Sequence, residues 1–164
     1  MSNISSVKLA PDFEERYPDS SAAATECAMN LVLTADLLEK RVTSLLLPFD
    51  LSPATGLVLS ILADSETPMS PNLIADRLII SRASVTSLLD SLEKRGYVKR
   101  QPHPSDRRML LVELTDSGRR VANQFRPVVH QQEKVWLNAL NEKEQAQLIE
   151  MLQRLQTPLM ESSR

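Results

Sequence analysis

Apolar residues in the first third of the chain recur at spacings of three and four. The positions are Cys27, Leu31, Ala35, Leu38, Val42 and Leu45. This spacing places them on one face of an α-helix, so the pattern predicts a long helix from Ser21 to Leu47 that stops at Pro48. The preceding residues 1–20 are of mixed polarity and contain two prolines. We expect them to form an arm that is partly ordered at best.

Two serine–proline pairs mark the starts of the next two helices. Serine is a favoured N-cap, and proline is favoured at the first helical position, where its missing N–H would have had no helical partner. Ser52-Pro53 therefore predicts a helix that ends near Ala63, and Ser70-Pro71 predicts a short helix that ends near Leu78.

A fourth helix is predicted from Arg82 to Arg95, with Ser81 as its N-cap and Gly96 as its left-handed end. Its apolar residues recur at helical spacing and define a buried face: Val85, Leu88, Leu89 and Leu92. The rest of its surface carries small or polar residues: Ala83, Ser84, Thr86, Ser87, Asp90, Ser91 and Lys94. Small and hydroxyl-bearing side chains allow a helix to approach base edges in a DNA major groove.

A two-stranded hairpin is predicted directly after this helix. Residues 97–100 and 109–114 have the character of strands, and a proline-rich turn lies between them. Near the tip, Asp106 and Arg108 are two residues apart on an extended chain, so they share one side and Arg107 points to the other. A carboxylate at Asp106 can hold the Arg108 guanidinium. An arginine held in this way suits a narrow, electronegative minor groove.

Two further helices follow the hairpin. Thr115 is expected to cap the first, which bends at Pro127. Asn141, with Glu144 three residues later, is similar to a capping box and predicts a last helix to about Leu155. A helix, a turn, a second helix and a hairpin in this order are typical of a winged helix-turn-helix. We therefore expect a mainly α fold with a small β-hairpin wing.

The positive charge is concentrated in the helix-turn-helix and hairpin. From Arg77 to Arg108 there are eight Lys or Arg and three Asp or Glu, a net charge of +5. The whole chain carries −2, so the remainder carries −7. A basic segment in an acidic chain indicates a polyanionic partner at that segment.

Other function classes lack support in the sequence. No run of eighteen apolar residues predicts a membrane span, and Met1 to Leu9 lack the basic and apolar regions of a signal peptide. The chain has one cysteine and no Cys/His cluster with zinc spacing. With three glycines and no catalytic triad, paired carboxylates or phosphate-binding loop, we expect a cytoplasmic protein that is not an enzyme. We expect no metal and no cofactor.

The segment from Leu51 to Arg120 resembles the multiple antibiotic resistance regulator (MarR) family. The resemblance rests on S-R-A-S-V-T-S-L-L-D-S-L-E-K-R-G-Y-V-K-R, on P-H-P-S-D-R-R and on L-L-V-E-L-T-D-S-G-R. The upstream L-S-P-A-T-G-L-V-L-S-I-L fits the second helix of that family. The resemblance implies a homodimeric winged-helix transcription regulator, usually a repressor. It also implies a pseudo-palindromic operator in double-stranded DNA and a small-molecule effector.

Carried over by position, the resemblance assigns roles to particular residues. The recognition helix would contact DNA through Arg82, Ala83, Ser84, Thr86 and Ser87, and the wing through Asp106, Arg107 and Arg108. Many family members carry a basic residue at the position of Ser87, so the operator sequence stays open. The implied domains are an arm over 1–20, a dimerisation helix over 21–48, the DNA-binding domain over 49–120 and C-terminal dimerisation helices over 121–164.

Two alternatives and one unknown remain open at this point. The same fold could act as a protein-interaction module without reading DNA, although such a module would more often expose an apolar patch on the fourth helix. Cys27 lies about where peroxide-sensing family members carry a reactive cysteine. However, its helix has no tyrosine, and on an apolar stripe a cysteine behaves as a small hydrophobe. The effector site is unassigned, with charged candidates at Asp36, Lys40, Arg41, Arg126 and His130.

Overall fold

The computed structural model describes residues 6–106 and 108–161. The elements follow in the order α1 (Phe13–Arg16), α2 (Ala22–Leu46), a 3-10 turn (Leu47–Phe49), α3 (Pro53–Ala63), α4 (Pro71–Leu78), α5 (Arg82–Lys94), β1 (Val98–Pro102), β2 (Leu110–Leu114), α6 (Asp116–Leu137) and α7 (Glu142–Glu161). The chain divides into two compact units, one up to Ala122 and one from Asn123 onwards. The prediction of a mainly helical fold with one antiparallel hairpin is confirmed.

The predicted helix starts are confirmed by their capping hydrogen bonds. The Thr55 N–H donates to the Ser52 hydroxyl at 3.2 Å, and the Ser52 N–H donates to the Thr55 hydroxyl at 2.9 Å, which completes a capping box. Ser70 and Ser81 cap α4 and α5, each accepting the N–H three residues later. Gly96 follows α5 at φ 71°, a left-handed conformation that glycine adopts without steric strain.

The last two helices also begin where the sequence predicts. The Thr115 hydroxyl accepts the N–H three residues later at 3.0 Å, and Asn141 and Glu144 cap each other's backbone N–H groups. Helix α6 continues through Pro127 as one element. Helix α7 ends at Glu161, beyond the predicted end near Leu155, and contains Pro158.

The first unit has its core between α3, α4, α5 and the hairpin. Side chains without exposed surface include Val58, Leu59, Ile74, Val85, Leu89, Leu92 and Val112. Burial of one such side chain stabilises the fold by about 1.5–3 kcal/mol. Of the four apolar positions predicted for the fourth helix, now α5, three lie in this core and Leu88 is half-buried. The core therefore fixes which face of α5 points outward.

The hairpin is extended by a third segment that the sequence pattern does not predict. Strands β1 and β2 pair antiparallel, with Arg100 opposite Val112. Met69, in the α3–α4 loop, exchanges backbone hydrogen bonds of 2.9 and 2.8 Å with Val112. Because a two-stranded hairpin is marginally stable by itself, this bridge stabilises the base of the wing.

The N-terminal arm is more ordered than the sequence predicts. The Leu9 N–H donates to the Glu26 carboxylate at 2.8 Å, and Lys8 pairs with it at 3.0 Å. These two contacts hold the pKa of Glu26 below its ordinary value. Asn30, one turn later on the same face of α2, exchanges two hydrogen bonds with the arm backbone. Residues 1–5, also part of the predicted arm, lie outside the described residues.

Two long helices expose apolar surface. Leu31 and Leu38, from the predicted stripe of α2, each remain 38% exposed, and the neighbouring Val32 is 67% exposed. Helix α7 contains no buried residue and exposes Met151 and Leu155. Exposed apolar surface of this extent is typical of association sites. Within the described ranges, no single helix is long and apolar enough to cross a membrane, and α2 and α3 reach that length and composition only together, as a pair bent by 74°.

Candidate nucleic-acid interface

Helix α5 exposes the face that was predicted to enter a DNA groove. Its inner face is anchored by Val85, Leu89 and Leu92, which retain no exposed surface. All five predicted contact residues are exposed: Arg82, Ala83, Ser84, Thr86 and Ser87. All of α5 is described, and it exposes no large apolar side chain. The helix thus lacks the apolar patch that a protein-interaction module would more often show.

Two hydroxyl groups on this face donate their hydrogens to the helix backbone. Thr86 donates to the Arg82 carbonyl at 3.0 Å, and Ser87 donates to the Ala83 carbonyl at 3.2 Å. These hydroxyls therefore present lone pairs outward, which suit the exocyclic amino groups of adenine and cytosine in a major groove. The Ala83 methyl group suits contact with the thymine methyl. This face can therefore contact base edges through hydroxyl and methyl groups. Position 87 offers the bases a serine hydroxyl and no guanidinium group.

The wing brings Asp106 and Arg108 together, as the sequence predicts. The Asp106 carboxylate accepts the Arg108 backbone N–H at 3.0 Å and the Arg108 Nε–H at 3.4 Å. The Arg108 side chain remains 93% exposed, so the carboxylate orients the guanidinium without burying it. Arg108 also lines a shallow cleft with Ser70 and Pro71 at the start of α4, where helix N–H groups favour an anion. Arg107, the third predicted wing residue, lies outside the described residues.

Three other cations of the basic segment are engaged in ion pairs. Lys99 pairs at 2.9 Å with Glu113, its opposite residue across the hairpin, and this hydrogen bond raises the pKa of Lys99. Arg95 pairs with Asp50 at 3.3 Å. Arg100 contacts two carboxylates of α5. The charge counted along the sequence therefore overstates how many cations are available to a polyanion.

Three of the five charged effector candidates make local contacts. Lys40 pairs with Asp36 at 2.5 Å within α2, and His130 lies 3.0 Å from Glu133 within α6. Cys27 is exposed on α2, whose apolar stripe remains largely uncovered in the single chain. Across residues 6–106 and 108–161, no group of three His, Cys, Asp or Glu side chains could hold a metal ion.

Comparison with known sequences identifies the winged segment. Residues 49–109 match the model of the MarR family. The HTH-type transcriptional regulator PecS of Dickeya dadantii (strain 3937) is 33% identical over 92 residues, which cover 56% of this chain and 55% of PecS. The match thus spans about half the length of PecS. Other matching relatives are named transcriptional repressors.

Solved structures share the fold over most of the chain. The S. aureus MepR–DNA complex superposes with a TM-score of 0.74 at 22% identity and covers 80% of this chain and 96% of MepR. CouR from Rhodococcus jostii RHA1, bound to p-coumaroyl-CoA, superposes with a TM-score of 0.75 at 24% identity and covers 83% of this chain and 95% of CouR. At these identities the likeness shows the fold alone. The fold is a winged helix-turn-helix, and the named relatives that the chain resembles are transcriptional regulators and repressors. Residues 49–109 are thus similar to the MarR family, in the segment where the sequence resemblance lies.

Proposed function

We propose that this protein is a homodimeric repressor, located in the cytoplasm, that binds a pseudo-palindromic operator in double-stranded DNA. The observation that carries the proposal is the orientation of α5: its apolar face is buried, and its small, hydroxyl-bearing face is exposed. The MepR structure, solved with DNA, supports a DNA partner for the same fold. Relatives named as repressors support the sign of regulation.

In this proposal α5 and the wing recognise different features of DNA. Ser84 and Ser87 contact base edges in the major groove, and such contacts determine which sequence is preferred. Arg108 enters the adjacent minor groove, whose potential is most negative where the groove is narrow. We therefore expect the two serines to affect sequence preference and Arg108 to affect affinity.

Arg108→Ala tests the role of the wing. We expect it to weaken binding to the DNA upstream of the protein's own gene by about 1–3 kcal/mol, the range for a lost specific groove contact. The measurement is fluorescence anisotropy at physiological salt. Arg16→Ala is the matched control, because Arg16 is also an exposed arginine paired with an aspartate, Asp12, but lies in the arm. Equal affinity of the wild type and Arg108→Ala would contradict the wing assignment.

Selection from random DNA tests the role of α5. Ser87→Ala and Ser84→Ala should each change the preferred operator, because each removes a group that faces the bases. Ser44→Ala is the control: Ser44 donates to the carbonyl four residues earlier, as Ser87 does, but lies on α2. An unchanged consensus for both α5 variants would show that the helix is docked differently.

The exposed apolar stripes of α2 and α7 support the homodimer. Two recognition helices related by a two-fold axis would lie about 34–36 Å apart and contact successive major grooves. We expect the full chain to be a dimer by light scattering. A chain truncated after Leu140, which lacks α7, should be monomeric or unstable and should bind the operator poorly. A truncated chain that stays dimeric would contradict the assignment of α7 to the dimer.

A small-molecule effector completes the proposal, and the CouR structure with p-coumaroyl-CoA supports it for this fold. An effector that releases DNA must prefer the dimer conformation that fits the operator poorly. The coupling is typically about 1–3 kcal/mol and is reciprocal, so operator DNA must weaken effector binding by the same factor. Calorimetric titration of aromatic carboxylates and phenols into free and operator-bound protein tests this. A compound that binds both forms equally is not the inducer.

A further inference from the structure

Arg100 joins the wing to helix α5 through two carboxylates. Its Nη2 donates to Asp90 Oδ1 at 2.6 Å, and its Nη1 donates to Glu93 Oε2 at 2.7 Å. Asp90 and Glu93 are three residues apart and therefore neighbours on the surface of α5. The Arg100 side chain is 21% exposed, compared with 93% for Arg108. We call Arg100, Asp90 and Glu93 the Arg100 clamp.

The clamp leaves Arg100 poorly placed to contact DNA. Both terminal nitrogens of its guanidinium are bonded to charged acceptors, at the short distances of strong charge-assisted hydrogen bonds. A phosphate would have to displace one of the two carboxylates. Together, one guanidinium and two carboxylates carry a charge of −1, which does not attract a polyanion. Arg100 is thus a basic residue of the hairpin whose guanidinium binds carboxylates of the protein itself.

The connection that the clamp spans is short and is held at its base by hydrogen bonds to the backbone. The Tyr97 N–H donates to the Leu92 carbonyl at 2.9 Å, and the Thr115 hydroxyl donates to the Gly96 carbonyl at 2.6 Å. Residues 95–97 join α5 to β1, and Gly96 among them adopts φ 71°. The bridge between Met69 and Val112 fixes β2 to the α3–α4 loop and does not involve α5. Arg100 bonds the middle of β1 directly to the C-terminal half of α5. Arg100 adds a charged contact further along β1 than these backbone bonds, so its loss should let the hairpin tilt more freely relative to α5.

We propose that Arg100 is a positioning residue that holds the wing at a fixed distance and angle from α5, so that both contact one operator half-site together. This inference rests on the proposed function and deepens it. Contacts made by two parts of one rigid body reinforce each other, whereas loosely joined parts bind with a lower effective concentration. Loss of the clamp therefore weakens the contribution of Arg108 without removing a DNA contact.

The double variant Glu93→Gln/Arg100→Gln tests this, because it breaks the clamp and conserves net charge. We expect its operator affinity to fall on the order of tenfold, within the range expected for loss of the Arg108 contact itself. The slope of log K against log salt should stay unchanged, because no phosphate contact is lost. Arg82→Gln, which removes an exposed cation of the proposed interface, should reduce that slope by about 1. An equal reduction in the double variant would overturn the proposal.

A double-mutant cycle separates positioning from a merely structural role. Arg108→Ala is introduced into the wild type and into the double variant, and circular dichroism verifies that all four proteins are folded at the assay temperature. If Arg100 positions the wing, Arg108→Ala should weaken operator binding less in the double variant than in the wild type. The two factors of weakening should differ by about threefold or more. Equal losses in both backgrounds would show that Arg100 only stabilises the fold, and would overturn the proposal.

Hydrogen exchange of the DNA-free protein decides whether the clamp fixes the wing. In the double variant, amides of β1 and β2 should exchange faster, whereas amides of α2 should exchange as in the wild type. Unchanged exchange in the hairpin would overturn the clamp itself. Wild-type protein that binds no operator DNA would instead overturn the proposed function, together with the half-site role of Arg100. The two failures are thereby distinguishable.

Discussion

Replacing Gly118 by alanine should destabilise the junction between the wing and α6. A Cβ atom on Gly118 would lie 1.9 Å from the Tyr97 carbonyl oxygen and 2.8 Å from its carbonyl carbon. Since carbon and oxygen in the closest favourable contacts are about 3.3 Å apart, the two segments would have to separate by roughly 1.4 Å. The clash is with backbone atoms, so rotation of a side chain cannot relieve it.

The expected loss can be worked out from the contacts at this junction. The Tyr97 carbonyl also accepts the Thr115 N–H at 3.0 Å, so moving it weakens a hydrogen bond. Overpacking costs about 1–3 kcal/mol, and one hydrogen bond contributes about 1 kcal/mol. The higher helix propensity of alanine offsets at most about 1 kcal/mol of this loss. We therefore expect Gly118→Ala to lower the free energy of unfolding by about 1–3 kcal/mol.

Urea denaturation followed by circular dichroism measures this difference, at one fixed protein concentration because dimer stability depends on concentration. Gly56→Ala is the matched control, since Gly56 is also a buried glycine within a helix. Its Cβ would lie 2.9 Å from Leu46 Cδ1, the end of a flexible side chain that can shift, so the loss should be smaller. If Gly118→Ala were as stable as the wild type, or more so, the inferred close approach would be refuted.

Three further predictions concern single side chains. Cys27→Ser should keep normal operator binding and release, because its helical turn offers no cation to stabilise a thiolate; hydroperoxide-induced release of only the wild type would contradict this. The lowered pKa of Glu26 means that its stabilisation of the arm is present above the ordinary glutamate pKa and is lost on acidification. The Leu9 amide should therefore exchange faster at low pH than the intrinsic rate predicts, and Glu26→Gln should remove this dependence. Thr55→Val should lower the free energy of unfolding by about 1 kcal/mol through loss of the capping box, and an unchanged denaturation midpoint would count against that role.

Features whose physical cause lies within a few residues could be predicted from the sequence. Ser52, Ser70 and Ser81 cap helices by accepting an N–H three residues later, so a local pattern contains all the required groups. The contact between Asp106 and Arg108 spans two residues, although it forms in the turn between β1 and β2 and not on the extended chain that the sequence predicts. The orientation of α5 follows from apolar spacing, because only one face can be buried.

Contacts between residues distant along the chain could not be predicted in this way. Composition does not distinguish a cation that faces solvent, such as Arg108, from one bonded to carboxylates, such as Arg100. Met69 pairs with Val112 from another loop, and neither residue has a local pattern that indicates strand extension. The order of the arm depends on Glu26, which lies 17 residues from its partner along the chain. These features depend on the packing of the whole unit.

The chemistry of α5 explains why a dimer matters for specificity in the proposed regulator. A bidentate arginine–guanine pair contributes about 1–3 kcal/mol of discrimination, but position 87 carries a serine, and the arginine of the predicted contact set, Arg82, lies at the first position of α5. Hydroxyl lone pairs and a methyl group discriminate less strongly per contact, so one half-site alone gives a small preference. Two protomers double that preference, because contributions of well-separated base pairs add. An effector that misaligns one α5 relative to the other therefore removes half of the sequence-specific free energy of binding. Release from the operator then requires only a change in the spacing of the two α5 helices.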